Sequence, residues 1–303
     1  MKRDFLKLTD LSLAEHEALY ARAVQLKAER KAGVRHHTLD GRTLCCVFEK
    51  ASTRTRLSFE AAMVQLGGTA IILDTATSQL GRGEPITDTA RVTSSYVDII
   101  MFRTFGEERL EAFAQASSVP VINGLSEGGH PVQLLADLMT VRERLGQLSG
   151  LQIAWVGDGN SNMAFSWIEA AALFGFQLRI AAPEGYRPPP AMVKAALGRV
   201  TLTSSVQEAV RGAQVINTDV WTSMGQEQEN AARMRAFQGY CVDEALVAQA
   251  DPASIVLHCL PAHRGEEITA GVIEGPRSAI FEEAENRMHA QKALLEMLLG
   301  GTS

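Results

Sequence analysis

The segment Ser52-Thr-Arg-Thr-Arg56 places hydroxyl side chains and two arginines within five residues. An apolar run, Leu44–Phe48, lies before it, and apolar residues at helical spacing follow from Phe59 onward. This order predicts a buried strand, a tight loop and the start of a helix. The chemical groups of the segment are therefore expected at the N-terminus of that helix.

A helix that begins here has Ser52 or Thr53 as its N-cap, and its first-turn N–H groups carry partial positive charge. Arg54 and Arg56 add two full positive charges beside them. Together these donors favour a dianion, most simply a phosphoryl group. The simpler alternative is a capped helix with two solvated arginines.

Three other polar residues occupy positions where ligands are expected. His130 stands before Pro131, which suits a first helical turn, and Gln133 follows one turn later. A histidine there could donate to a carbonyl oxygen, although lone histidines are often structural. Arg103 ends the apolar run Ile99–Phe102, and ligands gather at the carboxyl ends of parallel strands.

Two more candidates follow apolar runs in the second half of the chain. Asp219 precedes a small loop that contains Ser223, Met224 and a glycine, so its carboxylate could pair with an ammonium group. The alternative is an Asx-type turn. Cys259 lies in His258-Cys-Leu-Pro, where a positional role is favoured over a nucleophile because buried cysteines are usually inert. We expect no catalytic pair with His258, since neighbouring strand residues face opposite sides.

The glycine loop Gly157-Asp-Gly-Asn-Ser-Asn162 resembles a dinucleotide-binding turn only in part. Asn162 occupies the position of the third glycine, so the pattern is too weak to predict NAD binding by itself. We interpret the glycines as residues of a sharp turn after a strand, with Asn162 presenting its amide to a ligand.

These sites require elements to position them, and short apolar runs alternate with helical patterns along the chain. The runs lack polar alternation, as buried parallel strands do. The predicted strands are Leu44–Phe48, Ala70–Leu73, Asp98–Phe102, Pro120–Ile122, Gln152–Val156, Gln177–Ala181, Val215–Asp219 and Ile255–Leu260.

The fold class is therefore α/β, with two domains that each contain a parallel sheet flanked by helices. Long helices join the domains, and the active site is expected in the cleft between them. One series of units ends near Gln147, after a long helix over 131–145. We place the domains at 1–147 and 148–282, with a C-terminal helix over 283–303 that returns to the first domain.

Composition narrows the functional classes. The chain has 303 residues, 46% of them hydrophobic, and a net charge of −6, so no overall positive field favours nucleic acid or membranes. Its four cysteines show no CxxC or metal-ligand spacing, which is typical of a reducing compartment. With neither a signal-peptide pattern nor a long apolar span, a cytoplasmic protein is expected.

Together and in this order, the motifs resemble the aspartate/ornithine carbamoyltransferase family over nearly the whole chain. The first half carries Ser52–Arg56, the segment Gln79-Leu-Gly-Arg-Gly-Glu84, Arg103 and the motif that begins at His130. These are similar to the family's carbamoyl phosphate motifs. The loop after Asp219 and the His-Cys-Leu-Pro motif are similar to those of members that use ornithine.

The resemblance implies transfer of a carbamoyl group from carbamoyl phosphate to the δ-amine of L-ornithine, giving L-citrulline and phosphate. It implies catalytic roles for Arg103, His130 and Cys259. The residues that it assigns to carbamoyl phosphate are Ser52, Thr53, Arg54, Thr55, Gln79, Arg103, His130, Gln133, Cys259, Leu260 and Arg287. Those that it assigns to ornithine are Asn162, Asp219, Ser223 and Met224.

The resemblance also implies a homotrimer in which Gln79 reaches a neighbouring subunit's site. It implies neither a metal nor an organic cofactor. Two departures from the family pattern concern acceptor binding: Gly128-Gly129 precedes His130 where a bulkier residue is usual, and a serine separates Asn160 from Asn162.

Several alternatives remain open at this point. Aspartate carbamoyltransferase is disfavoured because it needs cations for a second carboxylate, whereas this chain has Asp219. Transferases for acetylated or succinylated ornithine are compatible with the small residues Gly128-Gly129. An NAD-dependent oxidoreductase lacks its third glycine here, and a non-catalytic scaffold has no need of Arg54, Arg103 and His130.

Overall fold

The computed structural model describes residues 2–75, 83–222 and 229–300, and its chain divides into two compact units. Unit 1 comprises Met1–Ala136 and Asn286–Ser303, and unit 2 comprises Asp137–Glu285. The α/β class with two parallel sheets is confirmed. Within the described ranges, no helix combines the length and apolarity that a membrane span needs.

The described part of unit 1 contains four strands, with one helix before the first strand and others in the connections between strands. The strands are β1 (Thr43–Phe48), β2 (Thr69–Asp74), β3 (Ile99–Arg103) and β4 (Val121–Leu125). The first four helices are α1 (Leu13–Lys31), α2 (Thr53–Gln65), α3 (Ile86–Ser94) and α4 (Glu107–Ala116). Helix α5 (Pro131–Leu145) begins in unit 1 and ends in unit 2.

The described part of unit 2 contains five strands, with helices in the connections between them. The strands are β5 (Gln152–Val156), β6 (Gln177–Ala181), β7 (Val200–Thr203), β8 (Val215–Thr218) and β9 (Ile255–His258). Its helices are α6 (Asn162–Phe174), α7 (Pro190–Ala195), α8 (Val206–Val210), α9 (Asn230–Ala236), α10 (Glu244–Val247) and α11 (Ala270–Ile273). Helix α12 (Ile280–Leu299) starts in unit 2 and continues into unit 1.

The strand order in unit 1 places the connection that leads to Ser52–Arg56 next to Arg103. All neighbours are parallel in the order β2-β1-β3-β4, and Phe48 at the end of β1 is in register with Arg103 at the end of β3. The connections after β1 and β3 therefore leave the same edge of the sheet at adjacent strands. Because the order reverses between them, this is where a parallel sheet usually binds its ligand.

Unit 2 repeats the arrangement with the order β7-β6-β5-β8-β9. Val156 at the end of β5 pairs with Thr218 on β8, and Thr218 pairs with His258 on β9. The glycine loop, the Asp219 loop and the Cys259 loop consequently follow three adjacent strands. Strand order reverses at β5 and β8, so this edge is the second expected ligand position.

Eight of the nine strands agree with the predicted runs in position, and β7 is the exception. In the sequence Val200-Thr-Leu-Thr203 the first residue is buried and the others are partly or fully exposed, because β7 is an edge strand. It therefore lacks the continuous apolar run that marks the central strands. Strands β8 and β9 also end before Asp219 and Cys259, so both residues lie in loops.

Candidate active site

The N-terminus of α2 has the features expected of an anion site. Ser52 is its N-cap, with a hydroxyl that accepts from the Thr55 N–H at 3.3 Å, and no acidic residue occupies the first turn. Arg54 is half-buried and makes no hydrogen bond or ion pair with any residue that the structure describes. Arg56 instead is exposed and lies 4.0 Å from Glu60. Of the two arginines, Arg54 is therefore the one available to a ligand.

Arg287 on α12 connects two other predicted residues, Thr55 and Gln133. Its side chain is 3% exposed, and one terminal nitrogen donates to the Thr55 hydroxyl at 2.8 Å. The other donates to the side-chain oxygen of Gln133 on α5. Since Thr55 belongs to the first turn of α2, this buried guanidinium joins the starts of two helices. Residues separated by up to 232 positions thereby form one cluster.

His130 and Arg103 belong to the same electrostatic environment. His130 is buried just before α5, where its carbonyl accepts from the Gln133 N–H at 3.0 Å. Burial, followed by the charges of Arg287 and Arg103, lowers the pKa of His130 well below that of an ordinary histidine. The ring is therefore neutral at neutral pH, and it can offer an N–H to a carbonyl oxygen without adding charge.

Lys50 is a further cation of this region to which we assigned no role from sequence. Its ammonium lies 4.3 Å from the centroid of the Phe105 ring, and it follows directly after β1 and Glu49. Burial lowers its pKa; Glu127 opposes this effect and Arg103 adds to it. Its position at a strand end was the available signal, because a single lysine in a polar loop otherwise indicates only solvation.

In unit 2, Asp219 and Cys259 are in direct contact. The Cys259 thiol donates to Asp219 Oδ1 at 3.2 Å, and the Val220 N–H donates to the same oxygen at 2.8 Å. An Asx turn would instead bond the N–H two residues on. Burial, and next the Asp219 charge, raises the pKa of the Cys259 thiol well above its ordinary value. The thiol is therefore protonated at neutral pH and acts as a donor rather than a nucleophile.

His258 lies close to both groups, which corrects the expected separation of His258 and Cys259. One ligand atom from each of Asp219, His258 and Cys259 lies within 4.8 Å of the others. Strand alternation does not apply because β9 ends at His258. A catalytic Cys/His pair is still not formed: His258 Nδ1 accepts from the Leu260 N–H at 2.8 Å, and Nε2 donates to Glu267 at 3.0 Å.

Leu260 adopts a left-handed backbone conformation, with φ of 58°. A residue other than glycine in this region carries a cost of about 1 to 2 kcal/mol. The hydrogen bond to His258 holds Leu260 in place, and the His258 N–H donates to Glu283 at 2.9 Å. Strained backbone of this kind is concentrated at functional sites, where the surrounding contacts maintain it.

The glycine loop has a local explanation that involves no nucleotide. Gly157 has φ of 133°, and a Cβ on Gly159 would lie 2.9 Å from the ring of Pro188. Ser161 is the N-cap of α6 and accepts from the Ala164 N–H at 3.3 Å. The unusual serine between two asparagines is therefore a helix cap. Asn162 is half-buried and is the first residue of α6.

Arg233 on α9 is a residue that sequence reasoning missed. It is 5% exposed, and one terminal nitrogen donates to Asp158 at 2.6 Å and to the Trp221 carbonyl at 3.0 Å. Its guanidinium also lies 4.9 Å from the centroid of the Tyr186 ring. One side chain thus joins the glycine loop to the segment after Asp219. No local pattern could reveal this, since Asp158 and Arg233 are 75 residues apart.

The structure therefore collects the predicted residues in two groups, one in each unit. Unit 1 contains the α2 N-terminus with Arg103, His130, Gln133 and Arg287, and unit 2 contains Asn162, Asp219, Cys259 and Leu260. The predicted residues Gln79, Ser223 and Met224 lie outside the described ranges.

A parallel α/β chain with a helix N-terminus suited to an anion in one unit and a partly buried carboxylate in the other is compatible with a group transferase. Family models support this and identify the chemistry. Residues 3–143 match the aspartate/ornithine carbamoyltransferase carbamoyl-P binding domain, and residues 149–298 match the Asp/Orn binding domain. The chain belongs to the aspartate/ornithine carbamoyltransferase family, and the predicted family is confirmed.

Several similar proteins within the family are named ornithine carbamoyltransferase. An ornithine carbamoyltransferase from Pelobacter propionicus is 56% identical over 99% of this chain and 100% of that protein. Solved ornithine carbamoyltransferases include those of Pyrococcus furiosus, with a TM-score of 0.93 and 44% identity, and Campylobacter jejuni, with 0.91 and 41%. The match to the Pyrococcus furiosus protein covers 99% of this chain and 98% of that protein. The match to the Campylobacter jejuni protein covers 98% of this chain and 99% of that protein.

Proposed function

We propose that this chain transfers the carbamoyl group of carbamoyl phosphate to the δ-amine of L-ornithine, giving L-citrulline and phosphate. The observation that carries the proposal is the Arg287 cluster, which joins Thr55 to Gln133 at the anion-binding N-terminus of α2. The names of the relatives at 52–56% identity support ornithine as the acceptor.

Unit 1 is proposed to bind carbamoyl phosphate. The N–H groups at the start of α2 and the guanidinium of Arg54 hold the phosphate, since both direct positive charge at the same position. Arg103, His130 and the Thr55 hydroxyl donate to the carbamoyl oxygen, and Gln133 contacts the carbamoyl amine. Arg287 adds positive charge near the anion.

Unit 2 is proposed to bind ornithine. Asp219 pairs with the α-ammonium group, because its carboxylate is partly buried and, among the described residues, its Oδ1 accepts only from neutral donors, the Val220 N–H and the Cys259 thiol. Asn162, Ser223 and Met224 complete the contacts with the α-amino and α-carboxylate groups. The backbone carbonyls of Cys259 and Leu260 accept from the carbamoyl amine.

The reaction forms one C–N bond and breaks one C–O bond. The unprotonated δ-amine attacks the carbamoyl carbon, and the negative charge that develops on the carbonyl oxygen is stabilised by donors already in place. Collapse of the tetrahedral intermediate expels phosphate. Because the pKa of the Cys259 thiol is raised, this thiol retains its own proton and cannot take the proton of the amine. The leaving phosphate is therefore the proposed proton acceptor.

The test is a citrulline assay with carbamoyl phosphate and ornithine, with aspartate, putrescine and N-acetylornithine as parallel acceptors. Ornithine is expected to be the preferred acceptor by a wide margin. Turnover of N-acetylornithine alone would assign the small residues Gly128-Gly129 to a different acceptor. Absence of turnover with all four acceptors would reject carbamoyl transfer itself.

We also propose a cytoplasmic homotrimer in which Gln79 completes the carbamoyl phosphate site of a neighbouring subunit. Apolar side chains on α2 and the edge strand β2 support self-association: Leu57 and Val64 are each 60% exposed and Ile71 is 51% exposed. Leu57 and Val64 lie two turns apart on the same side of α2, and an exposed apolar patch often marks an interface. We propose that a second copy of the chain covers these apolar side chains.

Subunit mixing tests this arrangement. Gln79→Ala and His130→Ala chains should each have little activity, but mixed trimers recover part of it because some sites combine an intact His130 with a neighbour's intact Gln79. A sedimentation measurement should give the mass of a trimer. Failure of the mixture to recover activity under conditions of demonstrated subunit exchange would exclude a shared site.

The physiological direction that we propose is arginine biosynthesis. The solved Campylobacter jejuni protein is described as an anabolic ornithine carbamoyltransferase, and it is similar to this chain over nearly its whole length. Cells that lack the gene should therefore need arginine or citrulline for growth, and ornithine alone should not restore growth. Growth on ornithine without either of the others would contradict this direction.

A further inference from the structure

Glu267 is a buried carboxylate whose two oxygens have different surroundings. The residue is 0% exposed and follows the loop after Pro261. Its Oε1 accepts from His258 Nε2 at 3.0 Å and from the His263 N–H at 2.7 Å. Its Oε2 is also buried, and it has no hydrogen-bond partner among the residues that the structure describes.

The charge of Glu267 is not balanced by a neighbouring cation. His258 accepts from the Leu260 N–H on Nδ1, so its ring bonds Glu267 as a neutral Nε2–H donor. Arg264, three residues away, is paired instead with Glu274 at 3.1 Å. In the described part of the chain, the only ion pair to Glu267 is that with His258. A buried carboxylate with neutral donors alone is costly, and such groups are usually paired or bind metals.

Two further ligand groups lie beside this carboxylate. One ring nitrogen of His263 and one carboxylate oxygen each of Glu266 and Glu267 lie within 4.8 Å of one another. The side chains of His263 and Glu266 are 50% and 39% exposed, so a cation from solvent can reach the group. The turn is closed by backbone bonds from Gly265 N–H to Ile268 and from Glu266 N–H to His263, both 2.9 Å.

We propose that His263, Glu266 and Glu267 bind one divalent transition-metal cation at the edge of unit 2. An imidazole nitrogen with two carboxylates suits Mn²⁺ or Zn²⁺, and water completes the coordination at the exposed side. The cation neutralises the buried negative charge of Glu267. It takes no part in carbamoyl transfer, and the proposal is independent of the acceptor assigned above.

The proposed cation site is connected by hydrogen bonds to the loop that contains Cys259 and Leu260. Glu267 bonds His258, and His258 bonds the Leu260 N–H. Cation binding therefore restricts the carboxylate that holds this loop. We expect the cation to stabilise unit 2 against thermal unfolding.

Mn²⁺ is the probe, because thiol-containing groups bind it weakly compared with Zn²⁺. The chain also holds a second group of possible ligands, Asp219, His258 and Cys259, and its thiol favours softer ions. The metal-stripped full-length chain is titrated with Mn²⁺ at a pH at which free histidine is neutral. Loss of the electron paramagnetic resonance signal of aqueous Mn²⁺ measures binding.

The control uses a similar pair that lacks the buried carboxylate. His37 and Asp40 are also three residues apart, with a ring nitrogen 3.1 Å from the carboxylate, and both are exposed. The variants His263→Ala and Glu266→Gln should weaken Mn²⁺ binding roughly 10-fold or more. His37→Ala should leave it unchanged. All three residues are at least one-third exposed, so the variants are expected to fold.

The wild-type chain should bind one Mn²⁺, and its melting temperature should rise on Mn²⁺ addition only when His263 is present. Failure of the wild-type chain to bind Mn²⁺ would overturn the proposal. So would equal binding by the wild-type and His263→Ala chains. Binding that is lost in Asp219→Asn but kept in His263→Ala would place the cation at the other group and also overturn it.

Discussion

The two units place opposite charges at equivalent edges of their sheets. In unit 1, Arg54 lies in the first turn of α2, Arg103 ends β3, and Arg287 reaches the start of α2 from α12. In unit 2, the connections after β8 and β9 gather the carboxylate of Asp219 and the buried Glu267. We propose that this difference suits unit 1 to an anionic ligand and unit 2 to a cationic one.

The comparison also shows how each unit controls its proton donors. His130 is kept neutral because burial and two arginines lower its pKa, whereas Cys259 is kept protonated because burial and Asp219 raise its pKa. Both groups are therefore neutral donors at neutral pH, for opposite electrostatic reasons. Neutral donors polarise or hold a substrate without attracting a competing counter-ion.

The largest expected effect is that of Asp219→Asn. Loss of the charge should weaken ornithine binding by about 2 to 5 kcal/mol, since the buried partner of the ammonium group is removed. Burial raises the pKa of Asp219, so the ionised carboxylate destabilises the native chain above that pKa. The variant should therefore be more resistant to thermal unfolding than the wild type at neutral pH.

Below the unfolded-state pKa of Asp219, its carboxyl group is neutral in both the folded and the unfolded wild-type chain. The difference in thermal stability between the wild type and Asp219→Asn should therefore disappear in acid. The ornithine affinity of the wild-type chain should also fall as the pH decreases through the raised pKa. Steady-state kinetics and calorimetric melting across pH measure the two effects. A variant that is less stable than the wild type at neutral pH would refute the assigned electrostatics.

His130→Ala in unit 1 should lower kcat by about 10²- to 10³-fold, as loss of one donor to a developing oxyanion does in other enzymes. The ornithine KM should change little, because the residue belongs to the other unit. The native His130 ring is already neutral at neutral pH because its pKa is lowered. A fall in wild-type kcat near the ordinary histidine pKa should therefore not arise from protonation of His130. Such a fall that is abolished by this substitution would contradict that assignment.

A smaller effect is expected for Arg54→Ala, with Arg56→Ala as the matched control on the same helix. Loss of one charge-assisted hydrogen bond should weaken inorganic phosphate binding by about 1.5 to 3 kcal/mol, or roughly 10- to 100-fold. The control should bind phosphate almost as the wild type does, because Arg56 is exposed and lies near Glu60. Equal losses in the two variants, measured by titration calorimetry, would count against a specific role for Arg54.

The smallest effect is that of Arg233→Lys in unit 2. Lysine keeps the charge opposite Asp158 but cannot make all the guanidinium contacts. We expect the ornithine KM to rise by the equivalent of about 0.5 to 1.5 kcal/mol, or roughly 3- to 10-fold, with phosphate affinity unchanged. The control is Arg235→Lys, an exposed arginine of the same helix. A change in kcat without a change in KM would indicate that Arg233 does not position the ornithine loops.

Sequence patterns predicted most of the fold because its central strands are buried on both faces. Such strands form continuous apolar runs, and the edge strand β7 was missed because its exposed residues interrupt the run. Helix starts were also predictable where a cap was present. Ser12 and Glu15 form the reciprocal cap of α1, and Ser52 caps α2 as expected.

The contacts of the candidate site were less predictable, since they depend on residues that are distant in sequence. Arg287 reaches Thr55 and Gln133 from the last helix, and Arg233 reaches Asp158 from another loop. The expected separation of His258 and Cys259 was wrong because the strand ends one residue before the cysteine. Alternation is a rule for strands, and it gives no direction for a side chain in the loop that follows.

If unit 1 binds carbamoyl phosphate and unit 2 binds ornithine, substitutions in the two units should affect carbamoyl phosphate binding differently. Titration calorimetry is carried out on the wild-type chain, Arg54→Ala and Asp219→Asn in the absence of ornithine. We expect Arg54→Ala to weaken carbamoyl phosphate binding roughly 10-fold or more and Asp219→Asn to leave it within about a factor of two. A loss of carbamoyl phosphate affinity in Asp219→Asn as large as that in Arg54→Ala would contradict it.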